Sequence, residues 1–196
     1  MEMFRRTFAE INIEHLVHNW NQIKKTAGND RFVCPMVKAN AYGHGDVQVS
    51  TILEAEGAQV LGVCLIEEGL LLRASGIKSD ILVFRGFDKI GAEKIFEYQL
   101  TPVISTWEQI KAMESAADSP IKVHIKFDTG MNRIGFGLDQ VEKLESYFLN
   151  SKKLKLKAIL THFSNSEDSY LEAGISSKQL LKFKQVVDYF KAHDIY

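Results

Sequence analysis

Val60-Leu61-Gly62-Val63-Cys64, the stretch Glu67–Ala74, and Ile81-Leu82-Val83-Phe84 form an apolar run, a helix-length segment and a second apolar run. Neither run alternates polar with apolar residues. A strand that is apolar on both faces belongs to a parallel sheet covered on both sides. Parallel neighbours also need a crossover, which the Glu67–Ala74 segment supplies. This unit therefore reads as strand, helix and strand of an α/β protein.

The same alternation continues in both directions. Upstream, Phe32–Val37 reads as a strand and Val47–Glu56 as the helix after it. Downstream come helix Lys89–Tyr98, strand Thr101–Ile104 and a helix to about Ala117. That helix is opened by Ser105 with Glu108, or by Thr106 with Gln109. Strand Ile121–Phe127, helix Asp139–Leu149, strand Leu156–Thr161 and helix Ser177–Ala192 complete the pattern. Counted from Phe32, this gives six strand–helix units. Ahead of them, Thr7–Ile13 reads as a strand and Glu14–Thr26 as a helix, with Leu16, Trp20 and Ile23 on one face. In the last helix Leu180, Phe183, Val187 and Phe190 share a face. No linker or low-complexity segment interrupts the chain, so residues 1–196 read as one domain.

Bulk composition narrows the function. Lys+Arg total 24 against 25 Asp+Glu, a net charge of −1, without the basic excess of a nucleic-acid binder. Cys34 and Cys64 form no CxxC pair and read as buried thiols of a reducing cytosol. Arg5 and Arg6 are followed by no apolar segment of signal-peptide type, and the longest apolar run, Val60–Ile66, is far short of a membrane span. A soluble, cytoplasmic protein is the expectation. His15 and His18 share a helix face without a third ligand nearby, so no metal site is expected.

Six such units fit an open doubly wound sheet or part of a closed barrel, and both place the site at the carboxyl ends of the strands. Polar clusters sit there: Lys38–Gly45, Asp128–Gly137 and His162–Ser169. Gly43-His44-Gly45 lacks the third glycine of a dinucleotide fingerprint, and Gly130–Gly135 has Phe136 where a phosphate-binding loop needs Lys. Lys38 ends an apolar strand with no carboxylate close in sequence. A desolvated amine there has a lowered pKa and can form a Schiff base with a carbonyl compound. Alternatively, the side chain only snorkels out of the strand end.

The nine residues Val37-Lys38-Ala39-Asn40-Ala41-Tyr42-Gly43-His44-Gly45 resemble the pyridoxal-phosphate attachment segment of bacterial alanine racemases. Lys126-Phe127-Asp128-Thr129-Gly130-Met131-Asn132-Arg133-Ile134-Gly135 resembles the family's second signature and Thr161-His162-Phe163 its third. The opening Thr7-Phe8-Ala9-Glu10-Ile11-Asn12 is similar to the family's usual start. The resemblance implies a (β/α)8 TIM-type barrel, followed in the family by a mostly β carboxyl-terminal domain.

The resemblance also implies roles. Lys38 carries pyridoxal 5'-phosphate as a Schiff base and then acts as one of two bases at the α-carbon of alanine. Tyr42 donates its hydroxyl to the cofactor phosphate. Arg133 reaches the cofactor's phenolic oxygen and the substrate carboxylate, for which a planar fork suits two oxygens at once. Lys126 stands where some members carry a carbamylated lysine that positions this arginine. His162 belongs to a hydrogen-bond network near the cofactor ring, and Glu167 and Asp168 fall in a loop bordering the substrate entrance. The implied reaction interconverts L-alanine and D-alanine for cell-wall peptidoglycan, in a head-to-tail homodimer.

At 196 residues the chain is shorter than the about 250 of a complete barrel. Strands seven and eight, the carboxyl-terminal domain and its opposite-face tyrosine are expected to lie outside this sequence. Six strands alone leave two unpaired edges. The expectation is a chain that by itself is poorly stable, self-associates, holds cofactor weakly and is weakly active or inactive. The alternatives are a non-catalytic pyridoxal-phosphate-binding barrel and an inactive racemase fragment.

Overall fold

The computed structural model describes residues 8–28, 30–165, 167 and 174–193. The chain divides into two compact units, Met1–Val83 and Phe84–Tyr196. Each is built from parallel strands joined by helices.

In the first unit, helix α1 (Ile13–Ala27) is opened by Asn12, whose side chain accepts the His15 N–H at 2.9 Å. A helical turn, α2 (Lys38–Gly43), and helix α3 (Asp46–Ala55) lead to strand β1 (Val60–Val63). Helix α4 (Ile66–Ala74) then crosses to strand β2 (Asp80–Val83), which pairs in parallel with β1 from Val60↔Asp80 to Val63↔Val83. All four residues of β1 are buried, as its uninterrupted apolar run requires.

The second unit continues with α5 (Lys89–Glu97), β3 (Thr101–Ile104), α6 (Trp107–Ala116) and β4 (Ile121–Lys126). A 3-10 turn at Leu138–Gln140, α7 (Val141–Asn150), β5 (Leu154–Leu160) and α8 (Ile175–Ala192) complete it. Here β4 pairs in parallel with β3 on one side and with β5 on the other. Helix α6 starts as the second of the two expected caps: Thr106 accepts the Gln109 N–H, and the Gln109 side chain accepts the Ser105 N–H at 2.7 Å. Among the described residues, no helix is long and apolar enough to cross a membrane.

Several sequence expectations are corrected. Phe32–Val37 forms a single parallel bridge, Met36 with Gly62, rather than a strand. Pro35, in its middle, has no N–H to give a ladder. Residues 8–12 of the expected Thr7–Ile13 strand are irregular and Ile13 opens α1, while Thr7 lies outside the described residues. On α1, Ile23 is exposed, and Lys24 reaches inward instead. Both the Lys24 ammonium (2.9 Å) and the Trp20 indole N–H (3.1 Å) donate to the Glu56 carbonyl.

On α8 the buried face holds Ser176, Gln179, Val186 and Phe190, and Leu180 points outward. The helix is rotated because the Gln179 amide finds polar partners inside. Strand β5 is not buried on both faces: Lys155 and Lys157 are exposed. Cys34 and Cys64 are half-buried free thiols, and burial pushes the Cys34 thiol up to about 11.

Candidate active site

In the first unit the site begins at the end of the Met36 bridge. Val37 is buried and its N–H donates to the Gly62 carbonyl at 2.8 Å, anchoring the chain to β1. From there Ala39, Asn40, Ala41 and Tyr42 all take left-handed helical angles, with φ of 51°, 56°, 50° and 54°. For residues with a Cβ this conformation costs about 1–2 kcal/mol each, so it normally occurs singly. Four in a row are held only because the surroundings over-determine them, and such strain concentrates at functional sites. The turn closes with Ala41 N–H to the Val37 carbonyl, His44 N–H to Ala41 and Gly45 N–H to Asn40. The Asn40 side chain accepts the Asp46 N–H at 3.0 Å, and the Ala39 N–H donates to Glu68 at 2.7 Å.

This turn brings two of the expected residues together. The Lys38 ammonium lies 5.7 Å from the centre of the Tyr42 ring. Lys38 is half-exposed and Tyr42 is 61% exposed, so amine and hydroxyl both remain accessible. A cavity of about 500 Å³ is lined by Leu16, Trp20, Pro35, Val37, Ala41 and Val49 among others, whereas Lys38 and Tyr42 are not among its walls. The turn thus presents Val37, Ala41 and His44 to this cavity.

The strain predicts a substitution that stabilises. Ala39 is exposed and its N–H bond survives in glycine. Ala39→Gly removes a Cβ penalty of about 1–2 kcal/mol and adds an unfolded-state entropy cost of about 0.5–1 kcal/mol. A rise in unfolding free energy of about 0.5–1 kcal/mol follows, read as a higher urea midpoint at unchanged slope.

In the second unit the expected residues gather at the carboxyl ends of β4 and β5. Lys126 ends β4 and is buried. Burial, and then the neighbouring Arg133 charge, lower its pKa, while Asp128 opposes them. Next to it, the Asp128 side chain accepts the Gly130 N–H at 2.9 Å and the Asn132 N–H at 3.0 Å, folding the loop that presents Arg133. Partial burial pushes the Asp128 carboxyl up, but the backbone N–H groups of Asn132, Gly130, Met131 and Arg133 outweigh it and hold the group below its ordinary value. Arg133 itself is exposed. The loop returns by a parallel bridge between Phe127 and Phe136, with Asp128 N–H to the Phe136 carbonyl at 2.9 Å and Phe136 N–H to the Lys126 carbonyl at 2.8 Å.

His162 follows β5 with an exposed side chain. Its carbonyl accepts from the buried Gln179 amide at 3.0 Å, and the same amide accepts the Ser164 N–H and hydroxyl, each at 2.9 Å. Gln179 also donates to Thr129, which lies 2.8 Å from Thr161, and the Thr161 hydroxyl donates to the Phe127 carbonyl. This chain of bonds ties α8 to the loops bearing Arg133 and His162. Glu167 lies in a turn, and Asp168 lies outside the described residues.

The sequence reading missed three organising residues: Glu68, Asp128 and Gln179. Asp128 carried a signal, since Asp two residues before Gly is an Asx-turn pattern. Gln179 carried none, because its partners are distant in sequence, and for Glu68 the bond to Ala39, 29 residues back, left no local mark.

Residues 11–196 match the family description "Alanine racemase, N-terminal domain". The chain belongs to the alanine racemase family. It is 36% identical over 194 residues to alanine racemase of Carboxydothermus hydrogenoformans, covering 97% of this chain and 52% of that protein. Against alanine racemase of Thermodesulfovibrio yellowstonii it is 36% identical over 193 residues, covering 95% of this chain and 51% of the relative. Among solved structures, alanine racemase from Clostridium difficile 630 superposes with a TM-score of 0.88 at 30% identity, covering 98% of this chain and 51% of that one. The same enzyme in complex with cycloserine gives 0.90 at 28% identity. The chain thus spans about half the length of the alanine racemases it matches. Its fold is that of the family's amino-terminal TIM-type barrel domain, in partial form.

Proposed function

We propose that this chain is the cofactor-anchoring part of a cytoplasmic alanine racemase that uses pyridoxal 5'-phosphate to interconvert L-alanine and D-alanine for peptidoglycan. The family's head-to-tail homodimer is the proposed working form. The observation that supports this reading most is the left-handed turn opened by Lys38, a run of four strained residues that leaves Lys38 and Tyr42 accessible. The groups present suit the cofactor: an amine for its aldehyde, a hydroxyl for its phosphate, and cationic side chains for its anionic oxygens.

When bound, the cofactor supplies an electron sink that acidifies the Cα–H of an amino acid joined to it. The other steps fall to the chain. Lys38 Nζ would hold the cofactor covalently and, when free of it, would remove or deliver the proton on one face of Cα. Tyr42 gives its hydroxyl hydrogen to a phosphate oxygen. Arg133 directs its two-pronged guanidinium at the cofactor's ring oxygen and the substrate carboxylate. His162 orders hydrogen bonds near the ring.

Lys126 is proposed as a carbamate. Its depressed pKa favours the neutral amine, which adds to CO2 with loss of one proton, so that a cation beside Arg133 becomes an anion. The opposite-face base is the tyrosine of the family's carboxyl-terminal domain.

The test follows deuterium entry at Cα of L-alanine in D2O with cofactor present, alongside loss of optical rotation. Deuterated alanine is expected, with rotation falling only where the family's carboxyl-terminal domain supplies its tyrosine. Cofactor fixed at Lys38 with no deuterium entry would instead assign a non-catalytic cofactor-binding barrel.

A further inference from the structure

Three backbone N–H groups from two separate segments of the first unit converge on one carboxylate. One oxygen of Glu68 accepts the Ala39 N–H at 2.7 Å. The other accepts the Cys64 N–H at 2.7 Å and the Leu65 N–H at 2.9 Å. The Leu65 bond is the reciprocal half of a capping box on α4 and needs no further explanation. The Ala39 bond does nothing for α4: it reaches 29 residues back, to the first residue of the left-handed run. A single side chain thus ties the peptide that follows Lys38 to the carboxyl end of β1.

We propose that Glu68 is a positioning residue for Lys38, fixing the Lys38–Ala39 peptide and so the direction in which the amine leaves the backbone. This deepens the anchoring role assigned to Lys38 above and rests on it. A strained turn must be held from outside, and a charge-assisted bond to its first N–H is a strong hold. Partial burial pushes the Glu68 carboxyl up, but the N–H groups of Leu65, Ala39 and Cys64, with the Lys38 charge behind them, outweigh it. The group is therefore ionised at neutral pH and attracts the ammonium it positions.

The same unit contains a matched control. Glu54 accepts the Lys78 N–H at 2.7 Å and the Ser79 N–H at 2.5 Å, at the amino end of β2, with no bond to the lysine turn. It is an equivalent clamp at the other end of the strands.

The experiment compares Glu68→Gln and Glu68→Ala with Glu54→Gln in the full chain. Glu68→Gln keeps the side-chain size and one acceptor oxygen, which covers the case in which Glu68→Ala does not fold. Without cofactor, amide hydrogen exchange at Ala39 is measured relative to the core strands. With pyridoxal 5'-phosphate, borohydride fixation at Lys38 is titrated by peptide mass, and the induced visible circular dichroism reports cofactor orientation. Both Glu68 variants should speed Ala39 exchange about tenfold over the core and raise the half-saturating cofactor concentration about tenfold. Glu54→Gln should leave both within about twofold. Unchanged Ala39 exchange and fixation in Glu68→Gln, or an equal loss in Glu54→Gln, overturns the proposal. Absence of fixation at Lys38 in the unaltered chain sinks the functional reading instead, and Ala39 exchange still decides the clamp.

Discussion

Lys38→Ala abolishes borohydride fixation of pyridoxal 5'-phosphate and lowers α-proton exchange of alanine by at least about 1,000-fold. Acid–base catalysis by one positioned group contributes about 10²–10⁴-fold, and this residue also makes the covalent link. Loss of the amine removes both at once. The scaffold should not notice. Lys38 is half-exposed just after the Met36 bridge, and its ammonium contacts the Tyr42 ring only at 5.7 Å. Such substitutions shift stability by about 0.5 kcal/mol or less. The urea midpoint of Lys38→Ala therefore stays near that of the parent. Lost fixation at an unchanged midpoint separates a missing nucleophile from a missing fold.

Gly135→Ala lowers the unfolding free energy by about 3–5 kcal/mol and detaches the Arg133 loop, an effect read as a fall in urea midpoint. Gly135 has φ of 143°, a conformation that side chains with a Cβ rarely adopt. A Cβ there would stand 2.5 Å from the Asp128 nitrogen and 2.7 Å from the Phe127 carbonyl carbon. Both are backbone atoms at the end of β4, so neither can swing aside. Relief requires breaking the Phe127–Phe136 bridge, which also unseats the Phe136 ring from its edge contact with Trp107, 5.6 Å between centroids. Backbone strain of about 1–3 kcal/mol and the loss of two hydrogen bonds of about 1 kcal/mol each set the magnitude. Gly57, also at positive φ, has nothing within 4 Å of such a Cβ, so Gly57→Ala serves as the strain-only comparison.

Much of the fold was legible because parallel strands buried on both faces leave a plain mark, an uninterrupted apolar run with a helix after it. Val60–Val63, residues 81–83 and residues 102–104 carry it, whereas Ile121–Lys126 interleaves Lys122, His124 and Lys126 with its apolar residues. Where a strand is half-exposed the mark fades: β5 begins at Leu154, two residues before its apolar stretch suggests, because Lys155 faces out. Phe32–Val37 misled because its composition is strand-like while Pro35 denies the ladder a donor. Trp20 and Phe190 are buried as the helix periodicity expects, but Ile23 on α1 and Leu180 on α8 are exposed, for one reason. Polar side chains with specific partners, Lys24 on Glu56 and Gln179 on His162 and Ser164, replace hydrophobes inside, and periodicity counts only hydrophobes.

The candidate site was legible as wording rather than as shape. The residues Lys38, Tyr42, Lys126, Arg133 and His162 stand in segments that resemble the family's signatures. Nothing in Ala39-Asn40-Ala41-Tyr42 announces four left-handed residues, since only Asn favours that region among them. The turn exists because Val37, Asn40 and Glu68 hold it through contacts with Gly62, Asp46 and Ala39. Two of these three bonds span more than twenty residues, beyond the reach of any local pattern.

The central claim is that Lys38, singled out by its turn, is where pyridoxal 5'-phosphate attaches. The most direct measurement is peptide mass mapping after borohydride reduction of the unaltered chain with excess cofactor. The account predicts the reduced pyridoxyl mass on the peptide containing Lys38, in preference to every other lysine. Label spread evenly over exposed lysines such as Lys155 and Lys157, or none on Lys38, would contradict it.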